Sequence, residues 1–150
     1  MSMLAARVRV LITTFWVGGL WAIGYVVAPT LFATLADRGL AGTIAGSLFH
    51  IEAWLSVGCA LILLALARMD RDGDERGRRI RIGLVLAMLA CTLIGYFGLQ
   101  PFMAEIRAAA GPGGIADPDA RMKFGILHGI SSAIYLIQSL LGAALVFKSR

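Results

Sequence analysis
Four apolar runs, each long enough to cross a bilayer, dominate this chain of 150 residues. A spanning helix needs about 20 mostly apolar residues. The runs fall at about 8–35, 43–66, 80–103 and 123–147. They are divided by "ADRGL", "RMDRDGDERGRR" and "AAAGPGGIADPDAR". In lipid every backbone polar group must be bonded internally, so runs of this length predict helices. The expected fold is all-α: an integral membrane four-helix bundle forming a single four-span domain over 1–150. The composition agrees, being 59% hydrophobic and 15% charged with a mean hydropathy of +0.81. Soluble domains lie nearer half apolar and a quarter charged.

The distribution of basic residues sets the direction. Arg7 and Arg9, then Arg68, Arg71, Arg76, Arg78, Arg79 and Arg81, then Lys148 and Arg150 fall on one side, ten in all. Arg38, Arg107, Arg121 and Lys123 fall on the other, four in all. Cytoplasmic loops carry the excess of Lys and Arg, which predicts both termini in the cytoplasm of a bacterial inner membrane. The net charge of +5 then belongs to topology, and nucleic acid is rejected as a partner. The lipid bilayer is the expected partner, and a second copy of the chain is a candidate. The first run is too long for a signal peptide and lacks a clear cleavage site, so it is read as retained.

The chain also repeats itself. "IGYVVAPTLF" (23–32) resembles "IGYFGLQPFM" (94–103), and "GSLFHI" resembles "GILHGI". Two tandem helical hairpins running in parallel are expected, related by an axis along the membrane normal. The repeat pairs the two histidines, His50 and His128, at about 10 Å inside the outer boundary by helical rise. Tyr25, Pro29 and Thr30 from the first run, with Tyr96, Gln100 and Pro101 from the third, fall near that level. Polar groups are costly in lipid and turn inward, so a polar pocket in the outer leaflet is expected. Its candidate lining is Tyr25, Thr30, Tyr96, Gln100 and Ser131.

Three residues are candidate ligands or metal donors: His50, His128 and Glu52. Two neutral imidazoles on facing helices suit a haem b or a copper-type metal ion. The competing reading is that each imidazole hydrogen-bonds a neighbouring helix. Glu52 either serves the pocket or pairs with Arg121 or Lys123 at the rim. Gly125, Gly129 and Ala133 form a small-xxx-small ridge expected at a helix contact, and Gly42 with Gly46 forms another. Pro29 and Pro101 are expected to stop their helices at the interface. Trp16, Trp21 and Trp54 are read as packing residues, and Cys59 and Cys91 as ordinary buried thiols. No nucleophile–base pair stands out, so an enzyme is not expected. Open functional classes are a haem- or metal-binding module, a small-solute or cation transporter or tolerance factor, and a structural membrane partner.

Three segments carry a family likeness: "FWVGGLWAIGYVVAPTLFATL", "AGTIAGSLFHIEAW" and "KFGILHGISSAIYL". With them the chain resembles the bacterial domain of unknown function 4149 family, a relative of eukaryotic transmembrane protein 205. That resemblance implies a four-helix membrane fold and no particular chemistry. A fainter likeness to copper-resistance D proteins and membrane-embedded protoporphyrinogen oxidases implies histidine ligation of haem. The chain departs from that pattern, having no histidine in its first run.

Overall fold
The computed structural model describes residues 3–69, 74–111 and 114–149. Arg71, Arg150 and positions 112 and 113 of the glycine–proline loop lie outside the described residues. Four helices carry the fold: the first Met3–Thr34, the second Arg38–Met69, the third Glu75–Ala110 and the fourth Pro118–Lys148. Each is long and apolar enough to cross a membrane. Among the described residues there is no strand.

The helices outrun the apolar runs because aspartates start them beyond the greasy stretch. Asp37 Oδ1 accepts from the backbone N–H of Gly39 and Leu40 at 2.8 and 3.1 Å. The second helix therefore begins at Arg38, before the expected Thr43. Asp74 caps the third helix through Arg76 and Gly77, and Asp117 caps the fourth through Ala120. A side-chain acceptor satisfies N–H groups that no helical carbonyl reaches.

Neither inner proline stops its helix. Residues Ala22–Val27 and Leu93–Gly98 each form one π-helical turn, in which Ala28 N–H reaches the Ile23 carbonyl and Leu99 N–H reaches Ile94. Pro29 and Pro101 then sit in the first turn of the helix that follows, Ala28–Thr34 and Gln100–Ala110. The widened turn absorbs the missing proline donor, and the chain continues instead of ending. Both π-turns fall on the repeated "IGY" segments, so the sequence repeat has a structural counterpart.

The first helix packs against the second and fourth, and so does the third. The second and fourth thus stand at opposite corners. The core lies toward the end holding the termini, with Trp16, Val17, Cys59, Ala60, Leu63, Val85, Met88 and Leu145. Lipid tails are as apolar as leucine, so close van der Waals contact holds this end. Gly142 shows how close: a β-carbon there would meet Val17 at 3.1 Å and Met88 at 3.4 Å.

The small-residue ridge expected on the fourth helix faces outward instead. Gly125, Gly129 and Ala133 are exposed, and a β-carbon on Gly129 would meet nothing within 4 Å. The inward face is the polar one: Tyr135 is half-buried, and Gln138, Ser139 and Gly142 are buried. Unbonded polar groups in hydrocarbon cost more than exposed glycines, which decides the rotation of the helix. Trp16 is fully buried, as a packing residue should be; Trp54 is 56% exposed but packs edge-on against Phe97, whereas Trp21 is 41% exposed.

Candidate functional site
Beyond the core the helices diverge around a cavity of about 540 Å³ lined by all four. Its floor is polar. Gln138 Nε2 donates to Thr92 Oγ1 at 2.9 Å, linking the fourth helix to the third. Tyr25 donates to Ser139 Oγ at 2.8 Å, linking the first helix to the fourth. Trp16 Nε1 donates to Ser56 Oγ at 2.7 Å, linking the first helix to the second. His50 Nδ1 lies 2.9 Å from the Tyr96 hydroxyl, linking the second to the third. Each side of the bundle therefore carries a polar link, each contributing about 0.6 kcal/mol on average in lipid.

Glu52 lies in this floor. It is buried, 5% exposed, and lines the cavity. Indole N–H can only donate, so Trp16 makes Ser56 Oγ an acceptor and leaves the serine O–H to donate. It does so to Glu52 Oε1 at 2.6 Å. The other carboxylate oxygen has no hydrogen-bond partner among the described residues and is not sealed away from the cavity. The expected alternative, pairing with Arg121 or Lys123 at the rim, does not occur. Arg121 instead donates through Nε and Nη2 to the Ile115 carbonyl in its own loop. Glu52 sits fourteen residues into a helix that starts at Arg38, too deep to reach that rim.

The two histidines do not share the cavity. His128 lines it and stacks on Phe124, with ring planes 7° apart. His50 lines a shallow neighbouring groove with Thr43 and Ser47, and its imidazole is turned sideways to Tyr96. The histidines are on opposite corners of the bundle, His50 beside Tyr96 and His128 beside Phe124. Among the described residues no three His, Cys, Asp or Glu side chains cluster as metal donors. His50 and His128 thus line separate recesses, and neither belongs to a cluster of three such donors.

Of the other expected lining residues, Tyr25, Tyr96, Gln100 and Ser131 border the cavity. Thr30 does not: it is exposed and donates to the Val26 carbonyl of its own helix at 2.6 Å. Five further lining residues, Phe49, Thr92, Arg107, Tyr135 and Gln138, were not among those expected from the sequence. One signal was present. Ser131, Tyr135, Gln138 and Ser139 follow helical spacing and mark one polar face of the fourth helix. Tyr135 joins T-shaped ring pairs with Tyr25 and Phe49, centroids 6.1 and 5.5 Å apart, and donates to the Leu20 carbonyl at 2.6 Å. The Arg107 guanidinium lies over the Phe124 ring, 4.9 Å from its centroid.

Gly24 and Gly95, the glycines of the two repeated "IGY" segments, let the fourth helix come close. A β-carbon on Gly24 would overlap the Tyr135 ring, and one on Gly95 would come within 3.3 Å of Ile134.

Four spanning-length helices around an interior cavity define a small multi-pass membrane protein. A family model, Domain of unknown function (DUF4149), matches residues 11–112, which cover most of the first three helices. The chain belongs to that family. The "LHGISS" stretch of the fourth helix lies beyond the matched residues. No curated protein and no solved structure matches the chain.

Proposed function
We propose that this chain is a bacterial inner-membrane protein that binds a small molecule in the leaflet away from its termini. The observation that carries the reading is the cavity: all four helices line it, and it has a polar floor. Sites of this kind combine a mostly apolar wall with a few convergent polar groups. The Lys/Arg split supports termini in the cytoplasm and a cavity toward the periplasm. A binding function is favoured over a transporter because the other half of the bundle is closed by Trp16, Met88 and Leu145, all at most 2% exposed.

The two cysteines provide the test. Cys91 lines the cavity, whereas Cys59 is in the core. In lipid nanodiscs, a small water-soluble methanethiosulfonate is expected to label Cys91 and spare Cys59. Equal labelling of both, or of neither, would count against a wet cavity.

A further inference from the structure
We propose that the cavity takes an organic cation, a protonated or quaternary amine with an apolar body, and that Glu52 holds its charged end. The proposal rests on the binding reading above and names the ligand class. Glu52 is 5% exposed, and no cation lies within ion-pair distance of it among the described residues. The Trp16–Ser56 chain fixes one carboxylate oxygen as an acceptor and leaves the other for a ligand. A buried charge is costly unless it is paired, so a cation from outside supplies what the fold lacks.

Three further features define the class. Phe49, three residues before Glu52 on the same helix, lines the cavity with Tyr25 and Tyr135. Aromatic rings beside a carboxylate favour ammonium groups through their π faces. A metal ion is disfavoured by the donor set, since Glu52 belongs to no cluster of three metal-binding side chains. Divalent ions require several such donors. Arg107, the cation lining the cavity from the third helix, is fifteen residues beyond Thr92 and thus about 22 Å along the axis from the floor. It is held over Phe124, which leaves the deep end anionic.

The test uses tritiated tetraphenylphosphonium and its anionic twin tetraphenylborate, with protein in phosphatidylcholine nanodiscs and protein-free nanodiscs subtracted. Saturable phosphonium binding is expected, at least about thirty-fold tighter than borate binding and weakened by a similar factor in Glu52→Gln, as for a truncated buried charge pair. The two-probe comparison needs no variant and stands even where Glu52→Gln fails to fold. Equal binding of both probes, or undiminished binding by Glu52→Gln, overturns the proposal. Phosphonium binding that fails while Cys91 still labels overturns the cation class and leaves the cavity reading standing. Failure of both measurements removes both.

Discussion
Gly24 and Gly129 are the same residue in two helices of spanning length, yet their surroundings differ. Tyr135 fills the space beside Gly24 and is itself held by Tyr25, Phe49 and the Leu20 carbonyl. Gly24→Ala is therefore expected to lower the thermal unfolding temperature, with overpacking costing about 1–3 kcal/mol. Gly129→Ala should be neutral or slightly stabilising, since open space surrounds it and alanine is the better helix former. Gly142→Leu should likewise destabilise far more than Gly129→Leu, because Val17 and Met88 already touch that position. Ser56→Ala should also lower stability, by about 1–3 kcal/mol, since it leaves Trp16 N–H and Glu52 without their shared partner. Thermal unfolding in one detergent ranks all five variants, and equal melting of the Gly142 and Gly129 leucines would contradict the packing described.

At the scale of elements, the four helices and the repeat were legible in the sequence, but the rotation of the helices was not. Apolar runs report length, and length is what spanning requires. The repeat located the two π-turns without revealing that they are π-turns, because the pattern of hydrophobic residues does not encode one widened turn. Small-residue spacing misled on the fourth helix. Glycines recur every four residues on its outer face, while the polar face at Tyr135, Gln138 and Ser139 turned inward. The two histidines line different recesses for a related reason: depth does not fix azimuth, and His50 found Tyr96 beside it. The π-turns carry a prediction. Proline in a regular helix interior costs about 3 kcal/mol. Here each proline follows a turn that has already released its donor, so Pro29→Ala and Pro101→Ala should each raise stability by less than about 1 kcal/mol. A large stabilisation in denaturant or thermal unfolding would show that the π-turns do not accommodate the prolines.

The molecule as a whole is built unevenly along its length. Its terminal end is closed by interlocked apolar side chains, and its other end holds the polar links around the cavity. The orientation we propose from the Lys/Arg split sets the closed end toward the cytoplasm and the cavity toward the periplasm. The reach of Cys91 from each side tests both at once. A membrane-impermeant methanethiosulfonate is applied to right-side-out and to inverted inner-membrane vesicles carrying Cys59→Ala, which leaves Cys91 as the only thiol. Fast labelling in right-side-out vesicles, with little in inverted ones, is the predicted result. Faster labelling in inverted vesicles, or equal rates in both, would contradict a cavity that opens away from the termini.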